Sequence, residues 1–61
     1  LALLEGYHLM HATRGELLLR LDRPDEAAHA FRLARSMTEN AAERAHLDRR
    51  AEACDTVARS R

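Results

Sequence analysis

The stretch RLDRPDEAAHAFRLA, residues 20–34, sets a proline between two apolar runs and then repeats small residues at helical spacing. Leu21 closes the first run, and Ala27, Ala30, Phe31 and Ala34 share one face of the second. A proline inside a helix breaks it, but in a first turn its missing N–H is no loss. Asp22 has the side chain of an N-cap, able to accept from a free backbone N–H. Asp25 and Glu26 place negative charge at the positive end of the helix dipole. The proline therefore reads as the start of a helix over about residues 23–37, and the break before it as a tight turn.

Upstream, Leu3, Tyr7, Met10, Leu17 and Leu21 recur at helix period, widened by Leu4 and Leu18, and predict a helix over 3–21. Downstream, Asn40 followed by Glu43 is a capping box and predicts a helix over 41–59. Its inward stripe is thin: Leu47, Ala51, Cys54 and Ala58, with Arg50 intruding. Glu16–Arg20, Arg44–Asp48 and Asp55–Arg59 stand at i,i+4, the spacing of solvated ion pairs along one helix. Nothing alternates as a strand would; there is one valine and no isoleucine. Connections this short make consecutive helices antiparallel. The expected fold is all-α, three antiparallel helices in one domain over 1–61, a helical hairpin plus a capping helix.

Composition bounds the function. A chain of 61 residues buries only about 60% of its unfolded surface. One cysteine can close no internal disulfide, and no paired cysteines suggest zinc. The chain opens on Leu1 and reads as a piece of something longer whose neighbours help to cover it. Ten basic residues, all arginine, balance ten acidic ones, which leaves no field to attract a phosphate backbone. No apolar run, Leu17–Leu19 included, comes near the roughly 20 residues of a membrane span. No signal-peptide pattern opens the chain. The expectation is a cytoplasmic chain that binds neither nucleic acid nor membrane.

Gly15 requires a reason, because a glycine inside a helix costs about 1 kcal/mol relative to alanine. The reading is that Gly15 admits the second helix closely, with Ala27 in the gap and Phe31 plugging the pocket beside Leu18. That arrangement resembles a tetratricopeptide unit, with G-x2-Y on its first helix and A-x3-F on its second in a period of about 34 residues. Here Leu18 replaces the tyrosine, His11 the tryptophan and Arg14 a leucine, and no proline follows Phe31. A more specific resemblance covers nearly the whole chain. GYHLMHATRGELLLRLDRPDEAAHAFRLA followed by TENAAERAHLDRR is similar to the C-terminal extension of a group of extracytoplasmic-function RNA polymerase sigma factors. The residues that carry it are Tyr7, His8, His11, Ala12, Arg14, Leu17, Arg20, Leu21, Glu26, Ala27, Phe31, Asn40, Glu43, Arg44, Leu47 and Arg50. Gly15 stands where that pattern has alanine, and Asp22 where its turn has glycine, exchanging a C-cap for an N-cap. The resemblance implies a bacterial transcription factor whose promoter-reading regions lie upstream.

The packing residues expected from this are Tyr7, Met10, Gly15, Leu18, Leu21, Ala27, Phe31, Ala34, Leu47 and Cys54. Arg14 interrupts the first apolar stripe, and a buried arginine needs a partner; Glu43 is the first candidate for a buried ion pair. His8 and His11, three apart, can share a metal, but without further ligands they read as histidines bonded between helices. Arg49, Arg50, Arg59 and Arg61 are interleaved with Asp48, Glu52 and Asp55 and read as a solvated face. Cys54 is a small core residue, and no nucleophile–base pair can be assembled. No metal, cofactor or catalytic residue is expected, and the chain is not read as an enzyme. Leu3, Leu4, Tyr7, His8 and His11 form the candidate interaction surface. Its partners would be upstream sigma-factor regions, core RNA polymerase, a regulator, or a second copy in a homodimer. The alternatives are a tetratricopeptide-type adaptor that holds a peptide, and a self-associating bundle.

Overall fold

The computed structural model describes residues 2–60, and side chains from Tyr7 onward. It is all-helical: α1 spans Ala2–Arg20, α2 Pro24–Ser36 and α3 Ala41–Arg59, with no strand among the described residues. The middle helix is the organiser. Both α1 and α3 pack along α2, and far less of α1 meets α3 directly. Because α2 has a neighbour on each side, its buried residues cover a wide arc: Pro24, Ala27, Ala28, Ala30, Phe31 and Ala34. Alanine suits this position, since a methyl side chain lets two neighbours approach at once and keeps helix propensity.

The turn between α1 and α2 corrects one expectation. Asp22 is not the N-cap residue of α2; it closes α1. Its φ is +63°, and the N–H groups of Asp22 and Arg23 donate back to the carbonyls of Leu19 and Leu18, at 3.1 and 2.9 Å. That pair of bonds is a Schellman closure, whose left-handed residue is usually glycine. Aspartate occupies the position because its short polar side chain tolerates it better than most. The N-cap of α2 is Arg23, which makes no side-chain capping bond, and Pro24 stands in the first turn with Asp25 and Glu26.

The link between α2 and α3 is a polar knot. Asn40 Oδ1 accepts from the Glu43 N–H at 2.9 Å, which caps α3. The reciprocal half of the capping box is replaced. Glu43 turns to the Thr38 hydroxyl, at 2.8 Å, and the Asn40 N–H donates to that same hydroxyl oxygen at 3.3 Å. Arg44 Nε donates to the Thr38 carbonyl at 2.7 Å. Thr38 is buried, so its polar atoms need these partners.

The core consists of Ala27, Ala28, Phe31, Ala34, Leu47, Ala51 and Cys54, with Ala12, Leu18 and Leu19 packed at its edge. Gly15 is buried, and the Phe31 ring stands end-on against its backbone. A Cβ built on Gly15 would lie 2.8 Å from Phe31 Cζ and 2.9 Å from both Cε atoms. Only glycine leaves that ring its room.

Three residues expected in the core are not there. Tyr7, Met10 and Leu21 are 44%, 54% and 66% exposed, and Leu17 on the same stripe is also exposed. The cause is that α1 carries two apolar arcs, about 120° apart at 100° per residue. The arc with the larger side chains faces out. The arc with Ala12, Gly15, Leu18 and Leu19 faces α2, because close approach selects small residues over bulky ones.

Candidate functional site

Among the described residues, two polar contacts tie α1 to α3. At one end His8 is buried, and its Nε2 stands 3.0 Å from Glu43 Oε2. Neither His8 ring nitrogen makes an aligned hydrogen bond, nor does Nδ1 of His11. The approach to the carboxylate is therefore a polar contact out of line. The Thr38 hydroxyl, and after it the His8 ring, hold the Glu43 carboxyl below the usual carboxylate range. This disposes of the expected Arg14–Glu43 pair. Arg14 lies on the outward arc of α1 and is exposed, so it has no buried charge to neutralise, and Glu43 is taken by Thr38 and His8.

At mid-height Arg50 Nε donates to Glu16 Oε2 at 2.8 Å, and its Nη2 donates to Oε1. The guanidinium carbon lies 5.5 Å from the centroid of the Phe31 ring. Arg50 thus has a place on the inner side of α3. Its charge is met by Glu16 and its flat face covers the aromatic ring, a cation–π arrangement. On the other side of α3, Arg32 pairs with Asp55, and Arg35 Nε lies 2.6 Å from Asp48 Oδ1. The acids read as same-helix i,i+4 partners are all used between helices.

These pairs report the topology. Partners on α1 and α3 rise together, 8 with 43 and 16 with 50, so the two helices run in the same direction. Partners on α2 and α3 run oppositely, 32 with 55 and 35 with 48. Glu16 and Arg50 are separated by 34 positions, and the residues between them make one full up-and-down passage. That separation was the available signal for a Glu16–Arg50 pair, which reading each helix alone missed. Thr38 carried only the weak signal of lying two positions before an N-cap.

The polar groups of this site are engaged in holding helices together. Among the described residues no group of three or more His, Cys, Asp or Glu could hold a metal ion. Cys54 is fully buried, and burial pushes its thiol up, away from the reactive thiolate. No described helix is long and apolar enough to cross a membrane. Of the residues expected to pack, Gly15, Leu18, Ala27, Phe31, Ala34, Leu47 and Cys54 lie in or against the core. Of the candidate interaction surface, Leu3 and Leu4 lie outside the described side chains, His8 is buried, His11 is half-buried and Tyr7 is exposed. Tyr7 is instead one end of an exposed arc that runs along α1 through Met10, Arg14 and Leu17 to Leu21 in the turn that follows. No family model matches the chain, and no curated protein or solved structure matches it.

Proposed function

We propose that the chain is a protein-interaction module, the C-terminal helical extension of an extracytoplasmic-function sigma factor. In this reading it acts in transcription initiation by contacting the rest of the sigma factor, RNA polymerase or a regulator. The observation that carries the proposal is the use made of the residues in the sigma-factor-like pattern. His8, Asn40, Glu43 and Arg44 build the knot that joins α1, the link and α3. Phe31 and Leu47 fill the core, and Arg50 with Glu16 closes the gap above the ring. A pattern whose members hold one architecture together is the signature of a fold, and the same pattern also takes in Tyr7, Arg14, Leu17 and Leu21 of the outward arc.

The tetratricopeptide likeness is part of this proposal. Two side-by-side helices linked through positions 34 apart match the period of such repeats, and stacked repeats bind through their faces and ends. The same observation supports the adaptor reading, in which the module holds a peptide from another partner. The experiment that separates them is a pull-down of the longer protein with and without residues 1–61, probed for polymerase subunits. Loss of polymerase subunits with the segment supports the sigma-factor reading; unchanged recovery, with no promoter-binding helix-turn-helix upstream, refutes it.

A further inference from the structure

The outward arc of α1 lies on the side opposite α3. His8 and Glu16, which reach α3, centre about 180° around the axis from Tyr7, Met10, Leu17 and Leu21 at 100° per residue. A helix laid along that arc would therefore displace nothing, and the arc is long enough to take one. From residue 7 to 21 it runs about 21 Å at 1.5 Å per residue. Its apolar residues expose around half of their surface to water. In the middle of them stands Arg14, exposed and without an ion pair among the described residues.

From these observations we infer that the outer face of α1 docks an amphipathic helix of a protein partner whose apolar side carries a carboxylate opposite Arg14. The inference rests on reading the chain as a protein-interaction module, and not on its assignment to transcription. The charge of the face decides the occupant. A purely apolar helix would take Arg14 out of water unpaired, which is prohibitive. A second copy packed face to face about a two-fold axis would set Arg14 against Arg14. Among the α1 residues whose side chains are described, Glu16 is the one acid, and it is committed to Arg50 on the other side. An acid-bearing helix meets both demands. The molecule already uses the device internally: Arg50 interrupts the inner side of α3 and is answered by Glu16 from the neighbouring helix.

The test titrates the full chain, isotopically labelled, with two synthetic helical peptides about 18 residues long. Both present a Leu/Ala face and differ only in a Glu or a Lys at its centre. The Glu peptide is expected to shift the resonances of Tyr7, Met10, Leu17 and Leu21 and to bind about tenfold more tightly than the Lys peptide. Arg14→Glu should reverse that preference while leaving the thermal melt of the free chain unchanged, since Arg14 is exposed and lies outside the core cluster. Equal affinity for the two peptides, or shifts confined to another face, overturns the inference. So does a concentration-dependent dimer that Leu17→Asp dissociates, which would give the face to a second copy. No polymerase component enters the titration, so its failure leaves the transcription reading standing, and the pull-down can fail while the titration succeeds.

Discussion

Replacing Gly15 by alanine is the sharpest test of how α1 and α2 meet. On propensity alone the change favours the helix by about 1 kcal/mol. The added methyl, however, would lie 2.8 Å from the tip of the Phe31 ring, closer than carbon atoms approach. The ring is fully enclosed, with Arg50 over its face and alanines around it, and has nowhere to swing. Overpacking of this kind costs about 1–3 kcal/mol, so Gly15→Ala should be destabilising by about 1 kcal/mol net, and Gly15→Val by more. In a chain this short, 1 kcal/mol lowers the melting temperature by about 4–8 °C. The decisive measurement is a double-mutant cycle by thermal or urea unfolding. Phe31→Leu leaves a cavity and is destabilising by itself, but it removes the atoms that the new methyl meets. In that background Gly15→Ala should become stabilising, giving a coupling energy of about 2 kcal/mol. Should Gly15→Ala stabilise the unaltered chain by the full helix-propensity gain, the ring does not stand on that backbone and the close approach of α1 and α2 is refuted.

The other predictions concern the polar contacts and the turn. Arg50→Ala should cost about 1–2 kcal/mol by urea unfolding, from a part-exposed ion pair and the cation–π contact. Arg50→Met, which keeps cover over Phe31, should cost less, and a penalty no greater than that of an exposed arginine such as Arg49→Ala would count against the arrangement. Asp22→Val should lower stability by about 1–2 kcal/mol in urea unfolding, because a β-branched residue takes the left-handed closure only under strain; an unchanged midpoint would count against that closure. Glu43 and Asp55 are both held below the usual carboxylate range, by Thr38 with His8 and by Arg32 respectively. Carboxyls depressed on folding contribute stability that is present above their unfolded range and lost as pH falls through the folded one. The urea midpoint should therefore hold near neutrality and fall on acidification below about pH 4.5. Thr38→Val should flatten part of that slope, and an unchanged pH profile in this variant would contradict the link between Thr38 and Glu43.

The parts of this architecture that local chemistry dictates could be read from the chain, and those that depend on a neighbour could not. Pro24 with Asp25 and Glu26 marks a helix start whatever lies around it, and Asn40 caps α3 through a bond three residues long. The inward side of α1 is different. Two apolar arcs compete, and side-chain size points to Tyr7, Met10 and Leu21, the exposed one. What selects the other is the approach of α2, which Gly15 permits and Phe31 exploits. Charge pairing failed to read for the same reason. Glu16, Asp48 and Asp55 each have an arginine four positions away on their own helix, and each has its close ion pair with an arginine of another helix. Asp22 shows that even a local signal can be ambiguous: an aspartate before a proline suits an N-cap, yet the reversal of direction needed a left-handed residue, and it was the residue available.

A central helix lined with methyl groups also sets where the chain can vary. Ala27, Ala28, Ala30 and Ala34 already fill the space between two flanking helices, so any larger residue at those positions must prise apart both neighbours at once. Drift during evolution, or a designer seeking new specificity, is thereby channelled to the rims. The outer sides of α1 and α3 can be rewritten residue by residue while the middle of the sandwich keeps its composition.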